Sequence, residues 1–290
     1  GLFENVLVPW LDLVTRWVGE ARYERFRPDE VMVAVNPSQR LLANVGFQAQ
    51  GIVDSIGLET VASMQLEHSR SDLEAPEYLW ASTAGELPEG EPYTVLTWHL
   101  GARVEASTHL SLRANAARAV RMPNLFELFG NSGSVRGNPA LLPEEGLNID
   151  VGVAFDDYWS PGRTSITLGL IGFSRWTEGL IQFSQNAQNV ALARNVESAT
   201  LRGFEASASV HTLEAVRLDG TLTALRTRNE TDMAAREGNA LPRRPSLQAF
   251  ARAEIYWHPG VLADELAVEA QVEHTRGNFL DDANLVAVPE

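Results

Sequence analysis

The sequence predicts an all-β fold, an antiparallel transmembrane β-barrel, on three observations. Apolar residues recur with period two, which is the strand signature. Many of the alternating segments exceed the ~5–6 residues of an ordinary globular strand and reach the ~9–11 that a membrane-crossing strand needs. The connections alternate short and long, so one end of the sheet is trimmed and the other elaborated, an asymmetry of outer-membrane barrels.

The alternation is plain around Phe204, Ala206, Ala208 and Val210, which share one face, while Gly203, Glu205, Ser207, Ser209 and His211 share the other. It recurs at Leu147, Ile149, Val151, Val153 and Phe155 against Asn148, Asp150, Gly152 and Ala154. Val216, Leu218, Leu222 and Ala224 oppose Arg217, Asp219, Thr221 and Thr223, and Leu266, Val268, Ala270 and Val272 oppose Glu265, Glu269, Gln271 and Glu273. Taken in order, the pattern gives about eleven strands, at 5–26, 40–53, 57–71, 92–105, 107–120, 145–156, 163–176, 197–212, 214–229, 245–257 and 263–277. Tight turns are expected at 54–56, 105–107, 157–162 and 212–213, and long connections at 27–39, 71–91, 121–145, 176–196 and 230–244.

Aromatics near strand ends (Trp17, Tyr23, Trp98, Tyr158, Trp159, Trp176, Tyr256 and Trp257) suit interfacial girdles. Glu59, Glu67, His109, Arg113, Asn115, Arg252 and Glu254 place polar groups deep in strands, as a wet lumen requires. A soluble β-sandwich with one polar face shows the same alternation and stays open as an alternative.

Composition removes several function classes. Hydrophobic residues make up 44% and charged residues 21%, so the chain can build packed structure. The net charge of −15 argues against nucleic acid as a partner, because phosphate backbones are bound by clustered basic residues. With no cysteine there is no disulfide framework, thiolate metal site or cysteine nucleophile. No apolar run approaches the ~18 residues of a spanning helix.

The stretch Arg121–Glu145, RMPNLFELFGNSGSVRGNPALLPEE, carries a resemblance. Arg121, Pro123, Glu127, Leu128, Phe129, Gly137, Asn138, Pro139, Leu141, Pro143 and Glu144 occupy the places of an R-x-P-x-x-x-E-L-F/Y and G-N-P-x-L-x-P-E loop. This loop resembles that of the TonB-dependent outer-membrane receptors. Phe173–Ile181 is similar to their F-x-x-x-x-x-D-x-I stretch with Gly179 in the acidic place, and Asn195, Gly203-Phe204-Glu205 and Leu241-Pro242-Arg243-Arg244-Pro245 follow in order. Upstream of residue 94 the likeness is alternation and loop rhythm alone.

The resemblance implies an energy-coupled importer with a barrel of ~22 strands. It implies an N-terminal plug, coupling to TonB through an N-terminal region, and residence in the outer membrane of a Gram-negative bacterium. On that frame residues 1–290 are expected to be one partial barrel domain, an internal piece lacking the plug and the last strands. The partners implied are outer-membrane lipid and an extracellular small molecule: a siderophore, another metal chelate, a corrinoid or a glycan. A passive porin-type channel stays open as the rival membrane reading.

The residues themselves support parts of the motif. Pro123 ends the preceding strand, and Asn138-Pro139 and Leu142-Pro143 mark turns. Glu127 lies near Arg121 and Arg136 in sequence and pairs with one of them. Arg121, Pro123, Glu127, Phe129, Asn138, Pro139, Pro143 and Glu144 are therefore the motif residues expected to shape the loop. Tyr78, Trp80, Phe126 and Phe183 are the aromatic candidates for ligand contact. No histidine has a second ligand at metal spacing and no G-x-S-x-G elbow or phosphate loop occurs, so no metal, cofactor or catalytic residue is expected.

Overall fold

The computed structural model describes residues 2–8, 11–26, 38–72, 92–130, 135–138, 140–159, 163–185, 190–213, 215–231, 236–257, 266–281 and 283–288. They form one sheet. Its strands are β1 (Leu2–Val8), β2 (Leu11–Phe26), β3 (Ser38–Val53), β4 (Leu58–Asp72), β5 (Tyr93–Glu105), β6 (Leu110–Arg121), β7 (Val135–Arg136), β8 (Glu144–Trp159), β9 (Thr164–Gln185), β10 (Ala191–Thr212), β11 (Val216–Asn229), β12 (Leu247–Trp257) and β13 (Leu266–Arg276). Consecutive long strands pair antiparallel from β1 to β13, while the two-residue β7 lies off this path and adds to β10 in parallel. Among the described residues β1 and β13 end the path without pairing to each other.

The connections sort as the sequence implies. Asp54–Ile56 forms a 3-10 turn closed by Gly57, Ser107 caps the β5–β6 turn, and Ala215 N–H donates to the Thr212 carbonyl in the β10–β11 turn. These tight turns share one end, and the connection that carries the motif shares the other with that between β11 and β12.

Thirteen strands replace the expected eleven, and three differences have physical causes. The expected strand 5–26 is two strands, with Pro9, which lacks an N–H, between Val8 and Leu11. Within the expected loop 176–196, residues 176–185 and 191–196 are strand: β9 and β10 run on to 22 residues each, still paired from Glu178↔Ser198 to Gln185↔Ala191. The period-two signal fades there because both sides of this extension contact loops instead of one apolar medium. His109 sits in the turn before β6, its ring Nδ1 bonded to the Asp156 carbonyl at 3.1 Å, and not deep in a strand.

The two faces of the sheet differ in chemistry. On one, Val45, Leu66, Leu100, Val151, Leu170, Phe204, Leu218, Val268 and Val272 are exposed, with Val151 at 59% and Val272 at 63%. Trp17, Tyr23, Trp98, Trp159, Trp176 and Trp257 alternate in step with this apolar face. Tyr158 and Tyr256 fall on the opposite face, one residue out of step with Trp159 and Trp257, and leave the girdle set.

The polar face is cross-linked between strands. Asn115 on β6 donates to Asp150 on β8 at 2.8 Å. Asp219 on β11 accepts from Ser209 on β10 and Arg252 on β12, each at 2.8 Å, with Arg217 at 3.0 Å. Each bond satisfies a group that the sheet partly withdraws from water. Gly203, on the same face, is required by close approach: a Cβ there would run into the Ala224 carbonyl oxygen and stand 2.8 Å from Phe173 Cζ. The buried apolar clusters lie elsewhere, where the long connections pack on the β9–β10 extension.

Candidate functional site

The motif connection begins where Arg121 ends β6. Asn124 caps a five-residue helix, α1 (Leu125–Phe129), accepting from Glu127 N–H at 2.8 Å while the Glu127 carboxylate accepts from Asn124 N–H at 2.8 Å. That reciprocal capping box satisfies two donors that a helix end leaves orphaned. A helix this short is marginal by itself, so the surrounding charges hold it.

Those charges converge on Arg121. Its Nη1 donates to Glu127 at 2.9 Å, and its Nε and Nη2 grip the two oxygens of Glu144 at 2.8 and 2.7 Å. Glu144 also accepts from the Ile181 N–H of β9 at 2.6 Å. One guanidinium thus ties the start of the loop, the helix, the end of the loop and the projecting hairpin. Bidentate arginine–carboxylate geometry is the strongest form of this contact. Glu127 therefore pairs with Arg121, the first of the two partners open to it in sequence.

The second half of the loop docks through asparagines. Asn138 N–H donates to the Glu127 carbonyl at 2.9 Å, and its side-chain amide donates to the Ala193 carbonyl at 3.1 Å. Asn195 on β10 accepts from Leu142 N–H at 2.9 Å and donates to the carbonyls of Leu142 and Gly179 at 2.9 and 2.6 Å. Beneath these bonds Leu128, Leu141, Ile181 and Ala193 form a buried cluster with Leu125 against it. β7 adds to β10 beside it, at Ala191↔Val135 and Leu192↔Arg136.

Gly179 explains its own departure from the family pattern. Its φ is +64°, and a Cβ would stand 3.0 Å from the Pro143 carbonyl oxygen. Glycine and, less easily, Asp or Asn tolerate this left-handed geometry, so the acidic residue of the pattern and Gly179 meet one backbone demand. Gly179→Ala is expected to destabilise the loop by about 1–2 kcal/mol, and Gly179→Asn by less. Denaturation midpoints of the two variants in the same detergent check the order.

Of the aromatic candidates, Phe126 on α1 and Phe183 on β9 are brought together, ring centroids 6.0 Å apart, and are 43% and 40% exposed. Tyr78, Trp80 and Pro139 lie outside the described residues, as does the side chain of Phe129. Pro123 is buried beside the cap, and Pro143 supplies the carbonyl that Gly179 accommodates. Asn124 was not singled out from sequence, and Asn195 was named for its place in the family order alone. The N-x-x-E spacing of Asn124 and Glu127 was a usable capping signal, whereas the contacts of Asn195 run across 53 residues of chain and left no local one.

A neighbouring layer completes this end. Leu241, 1% exposed, packs with Ala199 and Leu201 and donates its N–H to Thr227 Oγ1 at 2.8 Å. Asn284 brackets Ala240, accepting from its N–H and donating to its carbonyl at 2.8 and 2.9 Å. Asp281 accepts from the N–H groups of Val286 and Leu285 at 2.7 and 3.2 Å, and the Val286 bond first of all holds its carboxyl below the usual aspartate range. A carboxyl depressed in the folded state contributes stability above its unfolded pKa and loses it as pH falls through the lower, folded value. The 281–286 turn is therefore expected to hold through the ordinary aspartate range and to loosen only below it, read from the backbone amide shifts of Leu285 and Val286.

Among the described residues no group of three His, Asp or Glu side chains is arranged to hold a metal ion. The geometry offers docking and presentation: a tethered loop, a long hairpin and an exposed aromatic pair.

Known proteins resemble the chain at two levels. The family description "TonB dependent receptor-like, beta-barrel" matches residues 43–287, well upstream of the motif. Among solved structures, the copper transporter OprC superposes with a TM-score of 0.66 at 17% identity, over 96% of this chain and 44% of that one. BauA, the ferric preacinetobactin receptor of Acinetobacter baumannii, gives 0.64 at 16%, over 100% and 44%. The Serratia marcescens hemophore receptor HasR, in complex with HasA and heme, gives 0.64 at 16%, over 93% and 50%. The chain thus spans half or less of the length of these structures. No curated protein matches the sequence. With the family match covering most of its length and the motif folded as a single network, the chain belongs to the TonB-dependent receptor-like β-barrel family.

Proposed function

We propose that residues 1–290 are part of the barrel of an outer-membrane receptor that takes up a scarce solute by energy coupling. The plug and the segment that meets TonB belong to other parts of the receptor. The family's barrels are outer-membrane proteins of Gram-negative bacteria, and the apolar face of this sheet suits lipid while the polar face suits a wet interior. The long-loop end then faces outward.

The observation that carries the reading is the Arg121–Glu127–Glu144 network, which fastens the motif loop to the hairpin and leaves Phe126 and Phe183 paired at the surface. The ligand we propose is a metal chelate such as an iron-siderophore, with a corrinoid or a glycan as the alternative scarce solutes. Copper, ferric preacinetobactin and heme named for the structural neighbours are in keeping with a metal-bearing cargo. Planar or apolar parts of such a molecule would stack on the two rings.

The test is an uptake panel in the complete receptor, comparing deletion of residues 121–145 with the double variant F126A/F183A. Deletion is expected to abolish uptake of the cognate ligand, and the double variant to weaken its binding roughly tenfold, one stacking contact per ring. Unchanged uptake after deletion overturns the assignment of this loop to ligand capture.

A further inference from the structure

We infer that arginines at the long-loop border of the apolar face bind phosphate groups of lipid headgroups in the adjoining leaflet. Moving along this face from the short-turn end, the first Asp, Glu or Arg on β4 is Arg70, on β6 Arg118, on β10 Arg202, on β11 Arg226 and on β13 Arg276. Among the described residues of this face none of the arginines lies nearer the short-turn end. The basic residues are thus gathered at one border, in a chain whose net charge is −15.

The crowding is greatest between β10 and β11. Arg202 and Arg226 are direct cross-strand partners, and Arg228 faces Thr200 one pair further on. All three arginines are exposed, and Arg202 lies 5.8 Å over the Trp176 ring. Like charges set directly opposite each other are destabilising in a sheet. The nearby acids do not cancel them: Glu145 is taken by Arg118 at 2.7 Å, and the Glu230 carboxylate accepts from Thr200 at 2.7 Å. Among the described residues Glu178 is the other acid on this face at that level, and none of the three arginines makes an ion pair.

An anion set between the guanidinium groups turns this repulsion into attraction. The chemistry selects phosphate. The chain has no lysine, so all 23 of its basic residues are arginines, whose planar forks grip phosphate oxygens two at a time. The position selects lipid: Phe204, Leu222 and Ala224 lie directly below on the same strands and meet acyl chains, so the phosphates attached to those chains arrive at the height of the guanidiniums. The inference rests on the membrane-spanning arrangement proposed above and involves no transported ligand, so lipid binding and uptake fail independently.

The test uses the complete receptor in neutral detergent, titrated with phosphatidylglycerol or phosphatidylcholine and read by native mass spectrometry. Phosphatidylglycerol is expected to bind in preference, and R202Q/R226Q/R228Q to weaken that binding roughly a hundredfold, three charges each contributing its usual share at an anionic surface. The version R202K/R226K/R228K keeps the charge without the fork and is expected to bind between the unmodified and the glutamine versions. Equal retention of the two lipids by the unmodified receptor, equal loss in the glutamine and lysine versions, or full displacement by inorganic phosphate alone would overturn the assignment.

Discussion

Glu144→Ala is expected to release the motif loop from the hairpin and to cost about 2–4 kcal/mol of local stability. The magnitude follows from what is left behind. Ile181, 8% exposed, loses the acceptor of its N–H, and Arg121 loses a two-oxygen clamp. Glu127, 6% exposed, still faces Arg121, so the helix cap survives while the tether to β9 does not. Limited proteolysis between α1 and β8 is therefore expected to become fast in this variant while the rest of the sheet stays resistant. Glu144→Gln is the informative companion. It keeps an oxygen for Ile181 N–H but removes the charge that Arg121 grips, and is expected to fall about midway. Equal resistance of all three proteins would show that the clamp does not hold the loop.

The second large effect concerns the apolar face. Val151 stands in the middle of β8 and is 59% exposed, flanked across the sheet by Ala114 and Gly172. In water Val151→Arg would be nearly neutral or even favourable, since it exchanges exposed hydrocarbon for a solvated charge. In a bilayer the same change is expected to cost about 2–4 kcal/mol at mid-depth. The sign of the effect thus reports the medium that this face meets. Unfolding of the complete receptor from phospholipid vesicles, with and without the substitution, measures it. A neutral result would favour a soluble sandwich over a membrane barrel.

The sheet itself was legible in the sequence, because a face that meets one medium repeats every second residue, as Leu147 to Phe155 and Phe204 to Val210 do. The signal failed where that condition failed. Beyond Trp176 the β9–β10 pair contacts loops on its sides, so Leu180, Ile181 and Ala193 follow packing instead of period two, and the extension read as a loop. The motif residues were legible as a set, but the joining of Glu127 and Glu144 through Arg121 was not. Their contacts outside the loop were not legible either: Ile181 and Asn195 stood in the family order with no partner assigned, Ala193 was not named, and only the register of β9 with β10 brings all three to the loop. Composition likewise hid the arginine border, since a net charge of −15 says nothing about which face a charge occupies.

The length of β9 and β10 has one more consequence. At ~3.3 Å per residue, 22 residues extend roughly 70 Å, about twice the span of the ~9–11 residues that cross a bilayer. The hairpin is a mast stepped in the wall, and the motif loop is lashed to it through Ile181, Ala193 and Asn195. A loop so fastened is expected to move with the hairpin and not as a hinged lid. Its height and tilt are those of the wall strands, so a load placed on Phe126 and Phe183 is carried straight down into the sheet.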